Sequence, residues 1–223
     1  MYVRILELGF LMELRLPKQY FLSKSSDIDY FYWNYQFPIK YIQRYRFKSV
    51  LKLINSEYFD KLLEIGTGSG VFLPELSNHC RQLYAIDIHD KIESVQKFCK
   101  NQKIIANISK CSIESTNFPD NFFDAIISVS VLEFIADLSS AFNEIVRIIK
   151  PTGIFIAICP QKSFFLDFIL SFLSDKSPDE EFVNSRHEIG PILEDFFKVM
   201  EKRVFPPLLG KLLPVYNCYK LRK

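Results

Sequence analysis

A doubly wound α/β fold on a mostly parallel sheet is what this sequence predicts, and three observations predict it. The first is Lys61 to Gly70, KLLEIGTGSG, where an apolar run ends in an acid and then in glycines at every second position. The second is another apolar strand, Leu83 to Ile88, which follows about twenty residues later and reaches its own acid at Asp87. The third is the close of the chain in two strand-like runs, Phe197 to Val204 and Val215 to Leu221, after strand and helix patterns have alternated. Alternation of this kind calls for parallel strands with helices on both faces.

Taken in order, the chain opens ambiguously. Every even position from Leu6 to Leu16 is apolar, which is a strand period, while a helix with a wide apolar face also fits. Pro17 stops that run, and Ser23 to Asp27 is a polar linker. An aromatic cluster, Asp29 to Pro38, holds Tyr30, Phe31, Tyr32, Trp33, Tyr35 and Phe37. Ile39 to Asn55 reads as an amphipathic helix, with Ile42, Tyr45, Val50, Leu53 and Ile54 apolar against Arg44, Arg46, Lys48 and Lys52.

The glycine stretch is the centre of the prediction. Leu62, Leu63 and Ile65 form a buried strand, and Gly66, Gly68 and Gly70 turn the backbone and admit a ligand. A short helix follows over Val71 to Asn78, with Pro74 tolerated in its first turn. Its unpaired N–H groups suit a carboxylate or phosphate. Asp87, at the tip of the second strand, can accept two hydrogen bonds from a ribose diol. Asp90 is read as the cap of a helix through about Lys100, and a third strand lies within Ile104 to Cys111. Ala125 to Val129 is the fourth strand, with Ser128 and Ser130 at the carboxyl end where ligands bind in such sheets. Asp137 caps a helix that turns Leu138, Phe142, Ile145, Val146 and Ile149 inward, and a turn then leads into the fifth strand, which ends at Pro160. Beyond it, Ser163 to Leu173 is an apolar helix, Asp175 to Glu181 an acidic loop, and Ile189 to Phe197 the last crossover helix.

Composition narrows the function. A chain of 223 residues suits one domain with appendages. A net charge of +2, from 28 bases against 26 acids, is too balanced for a nucleic-acid footprint. Five cysteines without CxxC spacing suggest neither a disulfide framework nor zinc, and His79, His89 and His187 are too scattered for a metal site. The first residues carry Arg4, Glu7, Glu13 and Arg15 within their apolar run, which breaks a signal-peptide core. These features point to a cytoplasmic protein with reduced thiols.

The ordered motifs resemble the class I S-adenosylmethionine (SAM) dependent methyltransferase family, whose signature is an acid followed by GxGxG, here Glu64, Gly66, Gly68 and Gly70. A second stretch, Cys111 to Ile135, is similar to the family's GDAxxLPFxDxxFDxVxxxxxLEH at Phe118, Pro119, Asp120, Asn121, Phe123, Asp124, Leu132 and Glu133. Two positions depart from it: Ser112 stands where an acid usually meets the adenine amino group, and Phe134 replaces a histidine. Arg147 to Pro160 resembles RxLKPGGxLxxxxP, with Thr152 in place of the first turn glycine. The resemblance implies a seven-stranded Rossmann-like methyltransferase fold, with residues 1–55 as an N-terminal extension or lid and 56–223 as the SAM-binding domain. It further implies that Glu64 and the backbone of Gly66, Thr67, Gly68 and Gly70 hold the amino-acid end of SAM. Asp87 would hold the ribose, Ile88 and Ile113 would sandwich adenine, Ser112 would reach its edge, and Ser128 would face the crevice. S-adenosylhomocysteine is the implied product.

For the acceptor, Tyr30, Trp33, Tyr35 and Phe134 are the expected pocket residues, and His187 is a candidate base, with a loop histidine of no role as the alternative. An aromatic lid suits a small, hydrophobic molecule, with peripheral membrane contact as the route to it. An inactive scaffold of the same fold is the alternative. An NAD-dependent oxidoreductase, with its GxGxxG fingerprint, is disfavoured by Gly70 and Val71.

Overall fold

A computed structural model describes residues 14–161, 186, 188–207 and 214–223. Helix α1 (Lys40–Ile54) leads into strand β1 (Phe59–Ile65), short helix α2 (Leu73–Leu76), β2 (Cys80–Asp87), α3 (Ile92–Asn101) and β3 (Ala106–Lys110). Then come β4 (Phe123–Val129), α4 (Leu138–Ile148), β5 (Ile149–Pro160), α5 (Ile189–Phe196), β6 (Lys198–Phe205) and β7 (Tyr216–Arg222). The strands form one sheet in the order β3-β2-β1-β4-β5-β7-β6. All neighbours run parallel except β7, which is antiparallel to both β5 and β6. This is the expected seven-stranded methyltransferase-type fold, closed by the late hairpin.

Both faces of the sheet are covered, and the period of two along each strand deals side chains alternately to them. Ile154, Ile156 and Ile158 of β5 join a core layer with α1, α2 and α3, while Phe155, Ala157 and Cys159 join the layer under α4 and α5. Helix α1 buries Phe47, Val50, Leu51 and Ile54, a stripe at helical spacing, and Phe47 stacks on Phe72 with centroids 4.3 Å apart. It ends where Asn55 adopts a left-handed conformation at φ 51°, which asparagine tolerates better than most residues. In α4, Leu138, Ala141, Phe142, Ile145 and Ile148 point inward and Val146 is half-buried. Asp137 accepts the Ser140 N–H at 3.0 Å, as the cap reading requires.

Two local expectations are corrected. Asp90 does not cap α3: Lys91 holds that position without a side-chain bond, and the Asp90 carboxylate pairs instead with Lys110 across the surface. The turn expected after α4 is absorbed into β5, because Phe122 N–H and Asn121 N–H bond Ile148 and Arg147 and pull the chain straight into the strand. Of the N-terminal run only residues 14–16 are described, and they have no regular structure. Residues 163–173 and 175–181 lie outside the described residues.

Strand order reverses between β1 and β4, since the chain builds β2 and β3 on one side and β4 and β5 on the other. Ile65 is level with Ile86 on one side and Ser128 on the other, so three strand ends open at one height. A crevice forms above such a switch point because the loops leave in opposite directions.

Candidate functional site

The loop after β1 is fixed from both sides. Gly66 N–H donates to the Ile86 carbonyl at 2.8 Å, and Gly68 N–H donates to Asp87 Oδ2 at 2.8 Å. Gly66 has φ 72°, and a Cβ there would meet Val131 Cγ1 at 2.7 Å, so only glycine fits. Asp87 Oδ1 accepts the Ile88 N–H at 2.7 Å. His89 is half-buried beneath: its Nδ1 accepts the Lys91 N–H at 3.1 Å, which leaves Nε2, 3.0 Å from the Gly68 carbonyl, to donate there. The loop is therefore pinned before any ligand arrives.

Above it lies a cavity of about 380 Å³, within the range of roughly 300–1,000 Å³ typical of small-molecule sites. The strand ends contribute Glu64, Gly66, Thr67, Gly68, Asp87, Ile88, Ser112 and Ile113 to its wall. From the N-terminal segment come Asp29, Tyr30, Trp33 and Asn34, from α1 Gln43 and Arg46, and from the β4 exit Ser130, Glu133 and Phe134. Tyr30 and Trp33 stack face to face at 4.2 Å, forming a flat aromatic wall. Asp29 hangs over the glycine loop, 3.6 Å from where a Gly68 Cβ would be, held by Ser25 Oγ and by the Phe31 N–H.

Polar atoms without protein partners converge on this space. Among the described residues, the buried atoms that find no hydrogen bond are Asn34 Oδ1, Ser69 Oγ, Ser128 Oγ, Ser130 Oγ and Glu133 Oε2. All of those residues but Ser128 line the cavity. Buried polar groups are rarely left unpaired, so their clustering points to a polar ligand. Two carboxyls are perturbed as well. Burial pushes Glu64 up to about 8, despite a 3.0 Å hydrogen bond from Thr67 Oγ1, and the Asp87 charge adds to the rise. Burial likewise pushes Glu133 up to about 8, against a hydrogen bond from its own backbone N–H and the opposing charges of Arg46 and Arg186.

Of the residues expected at the site, Glu64, Gly66, Thr67, Gly68, Asp87, Ile88, Ser112, Ile113, Tyr30, Trp33 and Phe134 meet at the cavity. Three do not. Tyr35 turns away to donate its hydroxyl to the Pro17 carbonyl at 2.6 Å, tying the aromatic stretch before α1 to the start of the N-terminal segment. Ser128 is buried one turn of the pleat too early, and Ser130 takes the place at the wall. Gly70 packs on α3, where a Cβ would meet Val95 Cγ1 at 2.8 Å. With φ 78°, Gly70→Ala should cost about 1–3 kcal/mol of stability, read as a lower urea midpoint. An unchanged midpoint would mean that α3 can shift to make room. His187 lies outside the described residues.

Sequence reasoning missed Asp29, Arg46 and Glu133 as wall residues, whereas Ser130 stands at the strand end where ligands were expected. Arg46 reads as one more polar position on an amphipathic helix, and Asp29 as a turn residue. Glu133 stood in a matched motif without a role. Ser112 carries a further surprise: its hydroxyl donates to Glu114 Oε2 at 2.9 Å, so an acid does stand at this edge, two residues along.

Residues 63–157 match a family model described as a methyltransferase domain. An uncharacterized methyltransferase of Schizosaccharomyces pombe is 27% identical over 117 residues, covering 50% of this chain and 44% of that protein. A protein of Rickettsia prowazekii named ubiquinone biosynthesis O-methyltransferase is 27% identical over 141 residues, covering 60% and 56%. The match thus spans about half the length of these curated relatives. A crystal structure of a SAM dependent methyltransferase from Aquifex aeolicus superposes with a TM-score of 0.62 at 24% identity, covering 79% of this chain and 89% of that one, and establishes the shared fold.

Proposed function

We propose, from the premise that residues 63–157 are a class I SAM-dependent methyltransferase domain, that the chain transfers a methyl group from SAM to a small, hydrophobic acceptor. The observation that carries this reading is the cavity over the switch point, whose wall brings together Glu64, the glycine loop, Asp87 and an aromatic stack. The chain's own groups fit the cofactor. Glu64, buried with Thr67 as its only hydrogen-bond donor among the described residues, is suited to an ammonium. Asp87 Oδ2 accepts from Gly68 N–H and Oδ1 from the N–H groups of Ile88 and, at 3.4 Å, His89, and the charge and remaining acceptor capacity of the carboxylate suit a ribose diol. Ile88 is 68% exposed at the lip and Ile113 is buried below it, a pair that a flat base would cover. Ser112 and Glu114 supply polar groups at that edge.

When bound, SAM supplies an electrophilic methyl group on a sulfonium. The protein's share is to hold the acceptor in line and to exclude water, which positioning alone can make large. Residues 25–34 form the cover, and we read 1–55 as an extension whose α1 has become part of the core. Hydrophobic acceptors are supported by the Tyr30 and Trp33 wall and by the relative named for ubiquinone biosynthesis. Tyr20, Phe21, Phe37 and Tyr41 are exposed on the same N-terminal segment as Lys18, Lys24 and Lys40, which supports peripheral contact with an anionic membrane. Among the described residues no helix is long and apolar enough to cross a membrane. All five cysteines are unpaired, in keeping with a reducing cytoplasm. The scaffold alternative gains no support from a cavity left open and lined with unpaired polar atoms.

Titration calorimetry with SAM tests the reading. The expected result is binding that S-adenosylhomocysteine displaces and that NAD does not; no heat with SAM at saturating concentrations would refute it.

A further inference from the structure

One carboxyl in the cavity has no task in holding the cofactor. Glu133 lies on the single turn that follows β4, is 1% exposed, and leaves Oε2 without a hydrogen-bond partner among the described residues. A buried carboxyl oxygen is rarely left unmatched, and Glu133 is among the residues that line the open cavity. We propose that Glu133 is the general base of the site, taking the proton of a hydroxyl on an aromatic acceptor as the methyl group is transferred. The inference rests on the reading that SAM occupies the cavity.

The surroundings select this acceptor class. The stacked Tyr30 and Trp33 rings offer a flat face to a planar molecule. Arg46, from α1, lines the same cavity, and its charge favours an oxygen that becomes negative while opposing a cationic amine. A neutral aromatic hydroxyl is a poor nucleophile near pH 7, because its proton leaves only near pH 10, so it needs a base beside it. The acceptor O–H bond breaks and its proton goes to the Glu133 carboxylate. The freed oxygen pair forms the bond to the methyl carbon, and the pair of the sulfur–carbon bond stays on sulfur, leaving a neutral thioether. Glu133 then returns its proton to water.

Charged and titratable groups on every side bear on Glu133. Arg46 on α1 and Arg186 favour its ionised form, whereas Tyr216 on β7 and Cys159 on β5 are themselves held protonated by burial and by its charge. Burial outweighs the two arginines and leaves Glu133 ionising at about 8. The carboxylate that acts as base therefore grows in with rising pH, and rate should rise through that value.

Glu133→Gln keeps the size and neutrality of the protonated side chain, so the variant should fold and bind SAM within about threefold of the parent. Two readouts then apply. In the protein without cofactor, infrared difference spectra of parent minus variant should contain one carboxyl titrating near pH 8; a carboxyl titrating in the ordinary acidic range would overturn the proposal. With labelled SAM and an alkyl-substituted catechol, the variant should lose about 10²- to 10⁴-fold in kcat together with the rising limb of the pH profile, and Glu133→Asp should restore part of both. Retention of rate and limb in Glu133→Gln rules out the base. A parent protein that binds SAM yet methylates only the matching alkyl aniline, or neither compound, overturns the acceptor class. Absence of SAM binding, seen in calorimetry before any acceptor is added, instead removes the reading beneath.

Discussion

Asp87→Ala weakens SAM binding by at least about tenfold: this is the result expected from titration calorimetry, and two losses add up to it. Charge-assisted hydrogen bonds to the ribose are worth roughly 1.5–3 kcal/mol each in gross terms. The same substitution strips the acceptor from Gly68 N–H, now 2.8 Å from Oδ2, and leaves the middle of the loop held by the His89 bond to the Gly68 carbonyl, with Gly66 still tied to Ile86. A pre-formed loop would become one that must order on binding, which raises the cost of association. Asp87→Asn separates the two parts, because an amide oxygen can still receive the Gly68 N–H while losing the charge. Its affinity should fall between parent and alanine variant. Equal affinity in all three proteins would remove Asp87 from the site.

The sheet was legible because its strands carry their burial in their composition. A parallel strand covered on both faces is close to continuously apolar, and the runs at Leu62, Leu83 and Ala125 are so apart from the buried Glu64. The antiparallel pair β6 and β7 could be read from two polar-interleaved runs near the end of the chain. The glycine loop was legible for a stereochemical reason, since positive φ at Gly66 and contact with Val131 leave no room for another residue. What stayed hidden depends on neighbours that are distant in sequence. Tyr35 belongs to an aromatic cluster that looks like one pocket wall, yet a single carbonyl at Pro17 turns it outward while Trp33 turns in. Asp29 and Arg46 read as a turn residue and a solvated helix position, and only the path of the N-terminal segment across the strand ends makes them wall residues.

The acidity of the wall also leads to a prediction about the protein without its cofactor. Glu64 and Glu133 ionise at about 8 when folded and near 4.5 when unfolded, and burial is the main cause at both. Between those values the native state holds protons that the unfolded chain has released. Stability from these groups is therefore fully present below about pH 4.5 and is lost as pH rises through 8. At about 1.4 kcal/mol per pK unit, the loss amounts to several kcal/mol for each carboxyl, a large part of a typical domain's stability. Glu64→Gln combined with Glu133→Gln removes both ionisations, so its urea midpoint should exceed the parent's at pH 9 and approach it at pH 5. Parallel midpoints across that range would mean that the carboxyls find water or a cation in solution. The stabilised double variant should at the same time bind SAM poorly, because the buried charge that strains the empty protein at Glu64 is the one an ammonium would neutralise. A double variant that gains stability and keeps its affinity would take Glu64 out of cofactor binding while leaving its burial cost intact.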